Sequence, residues 1–122
     1  MIIGIGTDIA EIERIKKACL REAFLVRCFT LKEKIYIENH PERAAGNFAV
    51  KEAVSKAMGT GFRGMSLDEI EVLRDDLGKP YIQLYGRAKT KAEGLNISRW
   101  HVSISNTKTL AIAYVIGEGV EA

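Results

Sequence analysis

The run from Phe48 to Ala57 is the feature that most constrains the fold. It contains no Gly or Pro and is rich in alanine, so it predicts an uninterrupted helix. At about 100° per residue, the small and apolar side chains share one arc, which can pack closely against a sheet. This arc consists of Ala49, Val50, Ala53, Val54, Ala57 and Met58. Gly59 follows and suits the left-handed conformation that often ends a helix.

The opposite arc of the same helix carries charge. Glu52 and Lys56 stand one turn apart, with Lys51 nearby. A carboxylate can hold a divalent metal, and a lysine can meet a phosphate. The same spacing is also that of an ordinary solvated helix pair, which stabilises a helix by about 0.3–0.5 kcal/mol. The helix alone leaves both interpretations open.

The whole chain bounds the class of protein. Its 122 residues suit one domain, expected to span residues 1–122. A net charge of +2 gives no indication of a nucleic-acid partner. The cysteines, Cys19 and Cys28, form neither a metal motif nor a disulfide scaffold, which favours a reduced, cytoplasmic setting. The apolar opening MIIGIGTDIA is too short to span a bilayer and lacks a basic leader, so we expect no membrane segment.

The chain opens with a predicted short buried strand, Ile2 to Gly6, which ends at Gly6-Thr7-Asp8. Asp8 has two possible roles there. It could cap the helix that follows, or it could point into a cleft and bind a metal. The glycines at positions 4 and 6 are not a dinucleotide-binding fingerprint, because the third glycine is missing.

A helix is predicted from Ile9 to about Leu20. Arg14, Lys17 and Arg21 recur along one face of it. This basic stripe could be solvated, or it could dock an acidic partner, since complementary charge speeds encounter and selects the partner.

Further elements are predicted from local signals. Thr30 and Glu33 form a capping box, which predicts a helix from Leu31 to about Asn39. The later elements are a half-exposed strand from Leu67 to Leu73, a turn from Arg74 to Pro80 that contains Gly78, a strand from Tyr81 to Tyr85 that closes a hairpin, and a short basic helix between Gly86 and Gly94.

The segment from Trp100 to Ser105 alternates along its length and predicts a strand. One face carries Trp100, Val102 and Ile104, and the other carries His101, Ser103 and Ser105. The polar face could donate hydrogen bonds to phosphate oxygens, or it could simply face solvent. A second strand is predicted from Thr109 to Ile116. No nucleophile elbow is present, which argues against a Ser-His hydrolase.

Four segments, in this order, resemble the bacterial holo-[acyl-carrier-protein] synthases, the short class of 4′-phosphopantetheinyl transferases. They are Gly6-Thr7-Asp8, the run from Phe48 to Ala57, Gly78-Lys79-Pro80 and His101-Val102-Ser103-Ile104-Ser105. The resemblance covers nearly the whole chain. It implies an α+β fold, with a small antiparallel-rich sheet packed on a long central helix. It also implies transfer of 4′-phosphopantetheine from coenzyme A to a serine of apo acyl carrier protein, for fatty acid biosynthesis, with release of adenosine 3′,5′-bisphosphate. The expected assembly is a homotrimer with an active site at each subunit boundary.

The resemblance also implies roles for individual residues. Asp8 and Glu52 match the positions that bind Mg²⁺, and Lys56 completes the expected catalytic set by meeting the phosphate charge. The expected coenzyme A site comprises Lys56, Gly78, Lys79, Pro80, His101 and Ser103, the last two contributed by a neighbouring subunit. The helix that bears Arg14, Lys17 and Arg21 is the one expected to dock the acidic carrier protein.

Two positions depart from the family pattern. Asn47 stands where many members carry Arg, and Asn106-Thr107 stands where they often carry His and an acid. Loss of an Arg removes a permanent charge that could pair with a phosphate, so we expect activity with altered affinity for coenzyme A. Two rival functions stay open. One is a non-catalytic module that binds an acidic carrier protein and coenzyme A, and the other is a hydrolase that acts on coenzyme A.

Overall fold

The computed structural model describes residues 1–120; the expected domain also includes Glu121 and Ala122, which lie outside the described residues. The elements in chain order are β1 (Ile2–Glu11), α1 (Ile12–Ala18), α2 (Glu22–Cys28), α3 (Leu31–Ile37), α4 (Arg43–Ala57), a 3₁₀ turn (Leu67–Glu69), β2 (Ile70–Arg74), β3 (Pro80–Leu84), α5 (Gly86–Gly94), β4 (Arg99–Asn106) and β5 (Leu110–Glu118).

These elements form two antiparallel sheets around α4. One sheet has the order β1-β5-β4, and the other is the hairpin β2-β3. The predicted small-residue arc of α4 is buried along its whole length and packs on the inner face of the three-stranded sheet. The α+β fold, with a small antiparallel-rich sheet and a long central helix, is confirmed.

Two glycines of β1 allow α4 to approach the sheet closely. A Cβ atom built at Gly6 would overlap the carbonyl oxygen of Ala53 and lie 2.8 Å from its carbonyl carbon. A Cβ atom at Gly4 would overlap the carbonyl oxygen of Ala57 in the same way. The small residues of the helix and the glycines of the strand therefore form one close-packed contact.

The predicted length and burial of the first strand were wrong. β1 is not a short buried strand: it continues to Glu11 and alternates between exposed and covered residues. Asp8 lies inside β1, and Glu11 holds the N-cap position of α1, which excludes the capping role for Asp8. The helix begins at Ile12 rather than Ile9.

The basic stripe does not lie on one helix as predicted. α1 ends at Ala18, and Arg21 is the N-cap residue of α2, a helix that the sequence analysis did not predict. A turn separates the two helices, since the backbone N–H of Arg21 donates to the carbonyl of Ala18.

Several local predictions are confirmed. The capping box of Thr30 and Glu33 is present, although α3 ends at Ile37. Gly59 and Gly78 have φ values of +80° and +84°, at the end of α4 and in the turn of the β2-β3 hairpin. The expected half-exposed strand, however, is wrong. Glu71 of β2 is buried, and its carboxylate accepts hydrogen bonds from Thr30 Oγ1 at 2.6 Å and Tyr85 Oη at 2.8 Å.

Lys51 is buried rather than part of a charged surface. Its side chain is 0% exposed, and its Nζ atom lies 2.7 Å from Glu33 Oε1. Nζ also donates to the carbonyls of Leu67 and Ile70. Burial raises the pKa of Glu33 and lowers the pKa of Lys51, while each charge draws the other pKa back toward its usual value. The pair ties α4 to α3 and β2.

The outer face of the three-stranded sheet, turned away from α4, is partly apolar and open. Ile5 and Ile9 are 57% and 62% exposed, and Tyr114 is 48% exposed. The predicted faces of β4 are confirmed, with Trp100 half-buried on the inner side and His101 exposed on the outer side. No helix within residues 1–120 combines the length and apolar character needed to cross a bilayer.

Candidate active site

Asp8, Glu52 and Lys56 come together where α4 crosses β1. Asp8 lies on the inner face of β1, and the Lys56 Nζ atom is 3.2 Å from Asp8 Oδ1. Lys56 Nζ also donates to the carbonyl of Thr7 at 3.0 Å. Glu52 precedes Lys56 by one turn of the same helix, so helix and strand together place two carboxylates and an ammonium in one cluster.

The two carboxylates of this cluster repel each other. The pKa of Glu52 is raised, first by burial and then by the negative charge of Asp8, and the charge of Lys56 opposes that shift. A cation placed between the carboxylates would remove the repulsion.

The donor set fits Mg²⁺. Within residues 1–120 no group of three or more His, Cys, Asp or Glu side chains is placed to hold a metal ion. Magnesium, however, usually takes one or two protein carboxylates and completes its octahedron with substrate oxygens and water. Asp8 and Glu52 supply two hard oxygen ligands of this kind.

A cleft of about 630 Å³ joins this cluster to the basic side chains of the first helices. The cleft is lined by Asp8 and Glu52 together with Arg14, Lys17 and Arg21. Phe24 and Phe48 also line it, with their ring centroids 6.0 Å apart. Although the basic residues do not share one helix, the turn after α1 brings all three to the carboxylate cleft.

A second, smaller cleft of about 330 Å³ lies beside β4. It is lined by Lys79, Pro80 and His101, with Asp75, Tyr81, Trp100 and Val102 around them. Asp75 shapes the hairpin turn, because its Oδ1 accepts the backbone N–H groups of Leu77 and Lys79, each at 2.9 Å. Three residues predicted to bind coenzyme A are thus neighbours, and Gly78 lies in the hairpin turn that leads to Lys79 and Pro80.

The two clefts lie at opposite edges of the three-stranded sheet, one beside β1 and the other beside β4, with β5 between those strands. Asp8 is on the inner face of the three-stranded sheet, whereas His101 and Ser103 are on its outer face. Tyr114 of β5 stands between Thr7 of β1 and Ser103 of β4 in the strand register. Ser103 therefore shares the outer face with Thr7 and not the inner face with Asp8. One chain therefore brings together Asp8, Glu52 and Lys56, and separately Lys79, Pro80 and His101, but it does not bring the two groups together.

The two departures from the family pattern differ in setting. Asn47 is fully buried, and its Nδ2 donates to Glu33 Oε2 at 3.0 Å and to the carbonyl of Val72 at 3.3 Å. Asn106 is exposed at the end of β4. Asn47 is therefore part of an internal network, while Asn106 faces solvent.

Sequence reasoning missed two acidic partners of basic side chains, one in the core and one beside the second cleft. Glu33 was assigned a cap but not its bond to Lys51, and Glu118 was given no role although its Oε1 lies 2.9 Å from His101 Nε2. The predicted last strand ends at Ile116, whereas β5 continues to Glu118 and brings this acid beside His101.

The fold and the clefts together define an α+β protein suited to binding an anionic, phosphate-bearing molecule beside a divalent cation. The family model described as the 4′-phosphopantetheinyl transferase superfamily matches residues 4–115, and the chain belongs to this superfamily.

Similar proteins agree with this assignment. The chain is 57% identical to the holo-[acyl-carrier-protein] synthase of Lachnoclostridium phytofermentans, over 97% of each chain. Among solved structures, it is similar to the acyl carrier protein synthase of Plasmodium yoelii with ADP bound (TM-score 0.88, 34% identity, 99% of this chain and 98% of that one). It is also similar to the Helicobacter pylori holo-[acyl-carrier-protein] synthase in complex with coenzyme A (TM-score 0.83, 33% identity, 93% and 99%). The resemblance read from the sequence is confirmed.

Proposed function

We propose that this chain transfers 4′-phosphopantetheine from coenzyme A to a serine of apo acyl carrier protein, in the cytoplasm, for fatty acid biosynthesis. The observation that carries the proposal is the shared cleft of Asp8, Glu52, Arg14, Lys17 and Arg21. The two candidate metal-binding carboxylates lie there beside a basic surface suited to an acidic protein. Relatives named holo-[acyl-carrier-protein] synthase, and a similar structure with coenzyme A bound, support the same reaction.

The chemistry demands positioning and neutralisation of charge. The serine oxygen attacks the β-phosphorus of the pyrophosphate of coenzyme A, and a new P–O bond forms as the bond from that phosphorus to the bridging oxygen breaks. The bridging oxygen leaves on adenosine 3′,5′-bisphosphate, and the serine proton passes to the Glu52 carboxylate or to water. Asp8 and Glu52 would hold Mg²⁺, which when bound supplies Lewis-acid help at the phosphate oxygens. The Lys56 Nζ atom lies 3.2 Å from Asp8 Oδ1. Because the Lys56 side chain is half-exposed, it can also contact a phosphate bound beside Asp8 and Glu52.

If Asp8 and Glu52 both bind Mg²⁺, loss of either one should reduce both Mg²⁺ affinity and turnover. Asp8→Ala and Glu52→Ala should each lower turnover and weaken Mg²⁺ binding, because each removes one of the two hard oxygen ligands. Isothermal titration of Mg²⁺ alone, beside the turnover assay, measures both effects. Glu22→Ala, an exposed acid at the start of α2, is the control. Unchanged magnesium affinity in both variants would contradict the assignment.

We also place the complete active site between subunits of a homotrimer. Asp8 and His101 lie on opposite faces of one sheet, so a second copy is needed to bring a His101 to the Asp8 cleft. The exposed apolar side chains Ile5, Ile9 and Tyr114 on the outer sheet face are suited to burial against another chain. Light scattering tests the assembly size.

Mixed oligomers test the shared site itself. Asp8→Ala and His101→Ala chains, each inactive or weak alone, should regain activity when dissociated together and reassembled. About one quarter of the subunit boundaries would then combine an intact Asp8 with an intact His101. Remixing two portions of Asp8→Ala chains is the control. Failure of the mixture to gain activity, with exchange verified by mass, would contradict the shared site.

The rival functions differ in their products. A hydrolase would release adenosine 3′,5′-bisphosphate from coenzyme A without carrier protein, whereas a transferase requires it. A non-catalytic module would bind coenzyme A and release nothing in either case. Chromatography of the nucleotide products, with and without apo acyl carrier protein, separates the three cases.

A further inference from the structure

His101 and Glu118 form a pair on the outer face of the three-stranded sheet. The distance from His101 Nε2 to Glu118 Oε1 is 2.9 Å. In the antiparallel register Arg99 stands opposite Glu118 and His101 opposite Ile116, so the two side chains are diagonal neighbours. They are 50% and 40% exposed, and so are reachable from solvent.

The backbone holds Glu118 firmly. β5 is the central strand of its sheet, and the Glu118 carbonyl accepts the N–H of Ser98 at 2.9 Å. On the other side Ile2 of β1 is its partner, and the N–H of Gly119 donates to the carbonyl of Met1 at 2.8 Å. The carboxylate is thus presented to the imidazole from a fixed point.

The surrounding charges keep this carboxylate ionised. The pKa of Glu118 is lowered, first by the hydrogen bond from His101 and then by the charges of His101, the amino terminus of Met1 and Arg99. An ionised carboxylate accepts the bond, so Nε2 carries the hydrogen, and in the protonated ring Nδ1–H is the donor left for a ligand. On the cleft side, the charged or titratable groups near His101 are Asp75, Lys79 and Tyr81.

We infer that Glu118 is a positioning residue of the coenzyme A site, which holds the protonated His101 ring so that its Nδ1–H donates to a phosphate of coenzyme A. The inference rests on the proposed function, in which His101 lies toward those phosphates. A carboxylate beside a phosphate would by itself oppose binding. His101 lets this acid support binding, because the acid's hydrogen bond fixes the orientation of the ring and leaves Nδ1–H directed to the phosphate.

This role has a signature that a purely structural role lacks. With His101 present, Glu118→Ala should weaken binding, because the ring loses its support. With His101 replaced by Ala, the unpaired carboxylate only repels phosphate, so Glu118→Ala should then strengthen binding. The effect of one substitution therefore reverses sign between the two backgrounds.

The experiment measures the Kd of coenzyme A by calorimetry and the KM for coenzyme A in the transfer assay. Glu118→Ala should raise both about 3- to 10-fold, the equivalent of one hydrogen bond, and leave kcat within about 2-fold. The Kd and KM of Glu118→Gln, which keeps an oxygen acceptor, should lie between those of Glu118→Ala and the wild type. This variant replaces Glu118→Ala in the test if the alanine variant folds poorly. Glu93→Ala on α5 is the control for loss of an exposed acid.

Dephospho-coenzyme A identifies the phosphate involved. If His101 serves the 3′-phosphate, the Glu118→Ala effect disappears with this analogue; if it serves the pyrophosphate, the effect persists, and either result supports the inference. An unchanged Kd in Glu118→Ala, or equal losses with and without His101, would overturn it. Absence of transfer by the wild-type protein would instead contradict the proposed function, so the two failures are distinguishable.

Discussion

Replacement of Lys51 by Met should lower the free energy of unfolding, because it leaves a buried carboxylate without its counter-charge. The substitution keeps the length of the side chain but leaves the fully buried Glu33 carboxylate without its cation. Glu33 would then be protonated on folding, which at pH 7 costs about 4 kcal/mol for a glutamic acid with an ordinary unfolded pKa. The loss of the hydrogen bonds to the Leu67 and Ile70 carbonyls adds to this, so we expect a loss near the usual 3–5 kcal/mol for a broken buried pair.

Urea denaturation at fixed protein concentration measures this loss, and a thermal scan should show a fall in Tm of roughly 10–20 °C. The loss of stability should shrink by about 1.4 kcal/mol for each pH unit from pH 7 toward pH 5, because protonation of Glu33 on folding costs less free energy at lower pH. The double variant Glu33→Gln/Lys51→Met should be more stable than Lys51→Met alone, because no buried charge is left. Lys32→Ala, an exposed lysine on the same helix as Glu33, is the control. A deficit below about 1 kcal/mol, or one independent of pH, would refute the reasoning.

Three further predictions follow from the site and its support. Charge reversal at Arg14 and Arg21 should raise the KM for acyl carrier protein and weaken its dependence on salt, because these side chains line the carboxylate cleft; an unchanged KM in steady-state kinetics would remove the docking role. Gly6→Ala should destabilise the fold by about 1–3 kcal/mol or more, since its Cβ overlaps the Ala53 carbonyl, whereas Gly94→Ala, which meets no atom within 4 Å, should not; chemical denaturation decides. Because the pKa of Glu52 is raised, this residue favours the folded state at acidic pH and opposes it as pH rises through its folded pKa. Glu52→Gln should therefore stabilise the metal-free protein at neutral pH, with a gain that fades on acidification; pH-dependent melting would contradict this if the gain grew instead.

The small-residue face of α4 was predictable because it depends on local facts. The run from Phe48 to Ala57 has no helix breaker, and its apolar residues repeat at the helical period. The capping box at Thr30 and the hairpin turn at Gly78 are also local, and the structure has both. The full extent of β1 was not predictable in this way, because two glycines and an aspartate interrupt its apolar pattern.

The burial of Lys51 and the pairings of the site depend on distant parts of the chain. A helical wheel assigns lysine to the polar arc, and the Glu33 that balances it lies 18 residues away. Lys56 and its partner Asp8 are separated by 48 residues. The resemblance to a known family indicated Asp8, Glu52 and Lys56 as one set of site residues. The contacts among them could be identified only from the three-dimensional structure.

The most direct test of the account is the intact mass of an apo acyl carrier protein after incubation with this chain, coenzyme A and Mg²⁺, beside a chelator control. We expect a gain of one phosphopantetheine on the carrier protein, and we expect chelator to abolish this gain. No gain, while coenzyme A still binds to the chain, would contradict transfer and would favour a non-catalytic binding module.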